Sequence, residues 1–172
     1  REIRRPRPGY PLGYVLGATA ADGSIQEGRR ISLAVKSPAF AKVYRKAMLQ
    51  AFPGSRPAVH KIRVPSGFLK KEIPMYRVRV VSRDIGEKLC RWLGISEHGS
   101  KSKTKSFEFP RVATSSKPMM QGFLDGYSDG DGYFVGPGRF IVSANRKFLG
   151  TLAEYLGTPL ASTSHGTNEC YR

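Results

Sequence analysis

Two stretches of eleven residues decide the fold: GYVLGATAADG at Gly13–Gly23 and GFLDGYSDGDG at Gly122–Gly132. Because residues four apart lie on one face of a helix, each stretch predicts a helix with a flat strip that another backbone can approach closely. A glycine costs about 1 kcal/mol in a helix interior, so its repeated use needs a compensating contact. We therefore expect the two strips to pack on each other around a pseudo-twofold axis, with the interface formed by Gly13, Gly17, Gly122 and Gly126.

The two stretches belong to an internal repeat with an offset of 109 residues. The offset places Arg30 on Arg139 without a gap, and it places Ile25 and Ile31 on Phe134 and Phe140. The repeated unit predicts an α+β fold of two pseudo-symmetric αββαββα half-domains packed through the two motif helices. The second copy is expected to be incomplete, with its second hairpin and last helix absent or only started in residues 158–172.

The hydrophobic periodicity divides the chain further. It predicts helices over 11–22, 38–52, 84–93 and 119–129, and strands over 24–26, 30–36, 59–64 and 76–81. The domain organisation that follows is a basic lead-in over 1–10, an N-terminal half over 11–95, a lysine-bearing linker over 96–117 and a C-terminal half over 118–172.

The charge predicts a polyanionic partner. The chain has 29 Lys and Arg against 13 Asp and Glu, a formal net charge of +16. No apolar run is long enough to cross a bilayer and no signal peptide is visible, so membrane and secreted proteins are set aside and a cytoplasmic location is expected. Cys90 and Cys170 are far apart and only three histidines occur, which favours neither a zinc site nor a disulfide framework.

The predicted motif helices each end in an aspartate. A carboxylate at a helix C-terminus is disfavoured by the helix dipole, by about 0.3–1 kcal/mol. Packing of the two helices would bring Asp22, Asp131 and two sets of free carbonyls to one place, where a divalent cation relieves the repulsion. Oxygen-only ligands suit Mg²⁺.

The strands predict a sheet with one apolar face and one basic face. Alternation places Ile31 and Leu33 on one face of the strand and Arg30 and Ser32 on the other face. In the later strands the same alternation separates the apolar residues from four basic residues, which we expect to share the basic face: Lys61, Arg63, Arg77 and Arg79.

The motifs resemble the nonapeptide of the LAGLIDADG homing endonucleases. Val15–Gly23 and Leu124–Gly132 each match it at the third, eighth and ninth positions. The segment Leu89–Pro110 also looks like the lysine-bearing segment of intein-type members. The first copy departs from the pattern at its sixth position, which is Ala20.

The resemblance implies a monomeric enzyme with internal pseudo-twofold symmetry that makes staggered double-strand breaks in a long DNA target. The implied metal ligands are the carboxylates of Asp22 and Asp131, helped by the carbonyls of Ala21 and Gly130. The implied cofactor is Mg²⁺ or Mn²⁺, with Ca²⁺ binding but not supporting cleavage. A lysine near the site would stabilise phosphate charge, and the candidates are Lys101, Lys103 and Lys105, of which Lys105 is favoured.

In this interpretation the two sheets form a saddle whose basic face follows the DNA major groove, where a two-stranded ribbon fits and Arg can read guanine. The expected DNA contacts are Ser24, Gln26, Arg30, Ser32, Lys36, Lys61, Arg63, Arg77, Arg79, Arg139, Ile141 and Ser143.

Two other functions stay open. One is a LAGLIDADG protein that has lost cleavage and acts as a DNA-binding regulator or an RNA maturase. The other is a basic ribosomal or RNA-coating protein, which accounts for the charge but not for the repeated register of Gly and Asp. Within the enzyme interpretation, the chain is either free-standing or the nuclease insert of an intein.

Overall fold

The computed structural model describes residues 5–66, 71–96, 107–160, 162–165 and 168–171. Helices and antiparallel strands alternate along these ranges, so the predicted α+β class is confirmed. The elements are α1 Tyr10–Ala21, β1 Gly23–Gln26, β2 Arg30–Val35, α2 Pro38–Ala51, β3 Ala58–Ser66, β4 Lys71–Val81, α3 Arg83–Leu93, a 3-10 turn at Arg111–Ser115, α4 Lys117–Asp131, β5 Gly132–Val135, β6 Gly138–Ile141, α5 Arg146–Leu156, β7 Ser162–His165 and β8 Asn168–Tyr171. No helix in the described ranges has the length and apolar character needed to span a membrane.

Local capping signals set the helix bounds. The hydroxyls of Ser37, Ser82 and Ser116 each accept a backbone N–H three residues ahead, at 3.2–3.3 Å, at the starts of α2, α3 and α4. Gly94 and Gly157 end α3 and α5 in the left-handed conformation that a residue with a side chain rarely adopts.

The motif helices α1 and α4 pack directly on each other through their glycines. A methyl group at Gly17 would stand 2.7 Å from the amide nitrogen of Tyr127, and one at Gly126 would stand 2.9 Å from that of Ala18. Gly13 and Gly122 are in equally close contact with the opposite backbone. The contacts are reciprocal, because each helix places its glycines against main-chain atoms of the other. The predicted packing through the two strips is confirmed.

The first half is built on a sheet of four antiparallel strands in the order β1-β2-β4-β3. Ile31 lies opposite Val80, and Leu33 lies opposite Val78, so these apolar residues share one face. All four are buried. Helices α1, α2 and α3 contribute to the same core, which therefore covers one face of the sheet.

The second half has an aromatic core. The ring centroid of Phe148 lies 4.7 Å from that of Phe107 and 5.0 Å from that of Tyr127. Phe107 and Phe109 are buried in this core, although the sequence assigns them to the linker. The side-chain amide of Asn145 donates to the Phe107 carbonyl at 2.6 Å and holds the segment that contains Phe107 in place. In the described residues β5 pairs with β6, and β7 pairs with β8 in a separate sheet.

The two hairpins of the repeat differ in register by one residue. Ile25 lies opposite Ile31 in the first hairpin, so the repeat predicts Phe134 opposite Phe140 in the second. Instead, Phe140 lies opposite Tyr133, and their rings stack at 5.1 Å. The turn explains the difference, because residues 27–29 join the first pair of strands but only residues 136–137 join the second. A one-residue slip exchanges the faces of a strand, so equivalent residues no longer have equivalent neighbours.

The glycine contacts lead to a stability prediction. Gly126→Ala should lower the free energy of unfolding by about 1–3 kcal/mol, because the added methyl group meets main-chain atoms that cannot rotate away. For a chain of this size the melting temperature should fall by about 2–12 °C, measured by calorimetry.

Gly150→Ala is the matched control. Gly150 is also inside a helix, yet a methyl group there meets nothing within 4 Å. Removal of a helix glycine should stabilise α5 by about 1 kcal/mol, so the melting temperature should rise. Equal shifts in the two variants would contradict the packing described here.

Candidate functional site

The two motif aspartates lie at the ends of the packed helices. Asp22 follows α1, and its backbone N–H donates to the Ala18 carbonyl at 3.0 Å. Asp131 is the last residue of α4. Both residues are exposed, so two acidic side chains stand at the solvent end of the helix pair.

Because Gly130 has no side chain, the two helix ends can meet. A methyl group there would stand 2.6 Å from the Cβ of Ala21 and 2.9 Å from Oδ2 of Asp22, closer than real Cβ contacts. The Asp22 carboxylate therefore lies against the backbone of α4, one residue before Asp131. We call the carboxylates of Asp22 and Asp131, with the backbone carbonyls of Ala21 and Gly130, the acid centre.

Tyr127 lies beside the acid centre on α4. Burial raises the pKa of its phenol above the usual range, and the negative charges of Asp131 and Asp22 raise that pKa further. The approach of the Asp22 carboxylate to Gly130, described above, is the contact that brings the two helix ends together.

The donors of the acid centre fit a hard divalent cation. Two carboxylates at the negative ends of two helix dipoles supply charge, and hard cations prefer oxygen ligands. Among the residues described, no group of three or more His, Cys, Asp and Glu side chains could hold a metal ion. A cation at the acid centre would therefore take its remaining ligands from the backbone, from water or from a substrate.

The first-half sheet presents a polar and basic face away from the core, which we call the outer face. Arg79 lies between Ser32 and Ala58, and Arg77 lies between Ala34 and His60. Residues opposite each other on neighbouring strands share a face, as do alternate residues of one strand. The predicted DNA contacts on the outer face are Ser24, Gln26, Arg30, Ser32, Arg77 and Arg79; Lys36 is exposed just beyond β2.

The prediction that Lys61 and Arg63 share a face with Arg77 and Arg79 is wrong. Lys61 lies opposite Tyr76, which is on the core side of the sheet, and Arg63 lies opposite Pro74 on that same side. Ile62 and Val64 occupy the outer face instead. The alternation predicted within each strand is correct. The pairing of β3 with β4 decides which face of β3 lies beside the basic face of β4. The side chains of Lys61 and Arg63 are both exposed beyond the core. No buried apolar pattern in this part of β3 therefore indicates its register with β4.

The three contacts predicted on the second hairpin have protein partners. Arg139 Nη2 donates to Oδ1 of Asp125 on α4 at 2.5 Å. Ile141 is partly buried and packs against the core. The Ser143 hydroxyl accepts the backbone N–H of Asn145 at 3.1 Å. The register slip described above changes the neighbours of Arg139 and Ile141, since the second hairpin does not repeat the face of the first. Ser143 lies beyond β6 and makes a local contact.

A polar cluster that the sequence analysis missed joins the motif helices on one side. The Tyr10 hydroxyl donates to Oδ2 of Asp125 at 2.8 Å, and the Tyr14 hydroxyl donates to Oδ2 of Asp129. We call these four residues the clasp. Burial, followed by the hydrogen bond to Asp125, raises the pKa of Tyr10 to about 12. A sequence signal existed, because the two tyrosines and the two aspartates are each four residues apart on a helix.

The other side of the helix pair is apolar. The 109-residue repeat relates the two tyrosines to Met119 and Phe123, and it relates the two aspartates to Leu16 and Ala20. The four related residues, Met119, Phe123, Leu16 and Ala20, are all buried. The sequence repeat therefore relates a polar flank of the helix pair to an apolar flank.

The remaining candidates are the linker lysines. Lys101, Lys103 and Lys105 lie outside the described residues, so their proposed role stays a prediction.

The fold is similar to that of several solved proteins. Mesophilic variants of the homing endonuclease I-DmoI match with a TM-score of 0.62 and 14% identity, over 94% of this chain and 86% of that chain. The homing endonuclease I-WcaI, bound to its DNA recognition sequence, matches with a TM-score of 0.61 and 9% identity, over 94% of this chain and 74% of that chain.

A further similarity is to a full-length DUF199/WhiA protein from Thermatoga maritima, with a TM-score of 0.58 and 11% identity, over 94% of this chain and 49% of that chain. No protein-family model matches the sequence, and neither does any curated protein sequence. At identities of 9–14% these likenesses concern the architecture, which is the mixed α+β fold of the homing endonuclease structures.

Proposed function

We propose that the chain is a site-specific DNA endonuclease that makes metal-dependent staggered breaks in a long double-stranded target. The acid centre is the observation that carries this proposal, because reciprocal glycine packing brings two carboxylates together at the ends of two helices. The net charge of +16 agrees with a polyanionic substrate. Two proteins of similar fold support it: I-DmoI has been solved in complex with DNA and Mn, and I-WcaI bound to its DNA recognition sequence.

In the proposed mechanism the chain's own residues hold and orient the reaction. Asp22 and Asp131 would hold a divalent cation, Mg²⁺ or Mn²⁺, with help from the carbonyls of Ala21 and Gly130. When bound, such a cation supplies Lewis acidity and a water of lowered pKa for phosphodiester hydrolysis. Because the helix pair is fixed by backbone contacts, the separation of the main-chain atoms that carry the two carboxylates is set before DNA arrives. Such preorganisation matters, since a misplacement of about 1 Å can cost 100-fold in rate.

The outer face would position the duplex. Arg77 and Arg79 stand at its centre, where a bidentate contact to guanine or a contact to phosphate is possible. The linker lysines would add charge near the scissile phosphate, a role that fits a basic segment of the chain leading into the second-half core. We propose that the protein acts as a monomer, with its two halves meeting the two strands of the target.

The alternative is a nucleic-acid-binding protein of this fold that does not cleave. One observation favours retaining it: Arg139 and Ser143, two of the contacts predicted for the second hairpin, have hydrogen bonds within the protein. The substitutions below separate the two functions.

Asp22→Asn and Asp131→Asn test the acid centre. Each change keeps the shape of the side chain and removes the charge that would hold the cation. We expect loss of double-strand cutting in the presence of Mg²⁺ or Mn²⁺, while binding changes only a few-fold. The substrate is a duplex selected by binding from a randomised library, and the products are resolved on a gel.

Asp84→Asn is the control for this pair. Asp84 is an exposed acid that pairs with Lys88 within α3. Cutting by this variant should match the wild type. Normal cutting by both acid-centre variants would exclude the metal assignment, and a wild-type protein that binds the selected duplex without cutting it would favour the alternative.

Arg79→Ala and Arg63→Ala test the corrected register. Both arginines are exposed on the same pair of strands but on opposite faces. Arg79→Ala should cost about 1–3 kcal/mol of binding and relax the preference at one base position. Arg63→Ala should cost less and leave base preferences unchanged. Fluorescence anisotropy with single-base variants of the duplex measures both, and a larger effect of Arg63 would refute the assignment of the outer face.

Binding should also weaken steeply with salt. The logarithm of the association constant should fall with the logarithm of the salt concentration with a slope of about −0.9 for each phosphate contacted. Loss of one phosphate contact should reduce the magnitude of this slope by about 0.9. The salt titration of Arg77→Ala therefore shows whether Arg77 contacts a phosphate. An unchanged slope in Arg77→Ala would assign this residue to a base or to solvent.

A further inference from the structure

The second hairpin carries two stacked aromatic rings on the face that points away from the core. Tyr133 of β5 lies opposite Phe140 of β6, and their ring centroids are 5.1 Å apart with an angle of 11° between the planes. Arg139 and Ile141, the neighbours of Phe140 in the strand, contact α4 and the core. Because neighbouring residues of a strand point to opposite faces, Tyr133 and Phe140 lie on the outward face. We call these two residues the aromatic pair.

The aromatic pair replaces two hydroxyls of the first hairpin. The sequence repeat places Tyr133 at the position of Ser24, which lies opposite Ser32 on the outer face of the first-half sheet. In the second hairpin the register slip makes Phe140 the partner of Tyr133. The two hairpins therefore place different chemistry at the corresponding point of their outward faces.

The aromatic pair is also close in the chain to the acid centre. Tyr133 is the second residue after Asp131, as Ser24 is the second residue after Asp22. Two residues of extended chain span at most about 7 Å, so the Cα atoms of Tyr133 and Asp131 are within this distance. A duplex with a phosphate at the acid centre would therefore have base pairs within reach of the rings.

The outward face of the second hairpin is apolar and accessible. Tyr133 is 40% exposed, and Val135, two residues further along the same face, is 60% exposed. Phe140 is partly exposed beside them. Adjacent apolar side chains at a protein surface favour a partner that covers them.

The chemistry of the aromatic pair fits one group of duplex DNA. The C5 methyl of thymine is the apolar group that the bases present in the major groove, and contact with an aromatic side chain recognises it. Each ring of the pair already covers one face of the other. The pair is therefore less suited to an unpaired base, which stacks on an open ring face.

We propose that the aromatic pair reads a thymine in the major groove of the DNA target by covering its C5 methyl group. This inference rests on the proposed function, because it names a specificity-determining contact with the same duplex. It gives the two halves different forms of recognition, since arginine and serine side chains occupy the outer face of the first-half sheet. Burial of one methyl group corresponds to about a fourfold gain in affinity.

Replacement of thymine by deoxyuridine tests the proposal, because it removes only the methyl group. Duplexes are selected by binding to the full chain from a randomised library, and each thymine that they share is replaced in turn. At one thymine we expect the dissociation constant, measured by fluorescence anisotropy, to rise about fourfold. This ratio should not change with salt, because a methyl contact releases no counterion.

Tyr133→Ser and Phe140→Ser should abolish this discrimination, since serine is the residue that the first hairpin has at both places of the corresponding pair. Each variant should bind the thymine and deoxyuridine duplexes equally. The ratio compares one protein on two duplexes, so a loss of stability does not imitate the effect. Tyr155→Ser is the matched control, because Tyr155 is 51% exposed but lies on α5. Its ratio should stay about fourfold.

Three results would overturn the inference. They are selected duplexes without a shared thymine, equal binding of thymine and deoxyuridine by the wild type, and a ratio that persists in both Tyr133→Ser and Phe140→Ser. In each case loss of cutting by Asp22→Asn would leave the proposed function standing. A chain that enriches no duplex from the library would overturn both.

Discussion

The close approach of α1 and α4 is the constraint on which the rest of the structure depends. Glycines of each helix lie against main-chain atoms of the other, so no side chain separates the two backbones. Backbone atoms cannot rotate out of the way as side chains can, so this contact fixes the distance between the helices more firmly than a leucine interface would. The close spacing of the two helices continues to Gly130, the residue before Asp131. The carboxylate of Asp22 lies against Gly130. Packing and the candidate chemistry thus rest on one stripe of small residues.

Much of this architecture could be predicted from the sequence, because its signal is periodic and repeated. The glycines four apart, the Asp-Gly pairs and the 109-residue offset predict the helix pair and the meeting of the two acids. The hydrophobic periodicity predicts the bounds of α1, α2, α3 and α4 to within two residues. Each motif and each of these helices is a local pattern, so a short window of sequence contains the information that decides it, and the offset relates two such windows.

The rest depends on how one segment pairs with another. The pairing of β3 with β4 places Arg63 behind the sheet, although each strand by itself reads correctly. The second hairpin departs from the repeat because its turn is shorter, which an alignment without gaps does not show. Phe107 belongs to the aromatic core although its neighbours in sequence read as a linker. In all three cases the deciding information is the contact between two segments or the length of the turn that joins them, not a pattern along one segment.

The unequal flanks of the helix pair determine which helices can associate. If α1 met the α1 of another molecule, Tyr10 and Tyr14 would face the equivalents of Leu16 and Ala20, and their hydroxyls would lose their carboxylate partners. If α4 met another α4, Asp125 and Asp129 would face apolar side chains, which is costly for a charge. Only the mixed pair satisfies every polar group of the clasp. The clasp therefore favours pairing of α1 with α4 over pairing of two like helices, even though the glycine strips alone are nearly interchangeable.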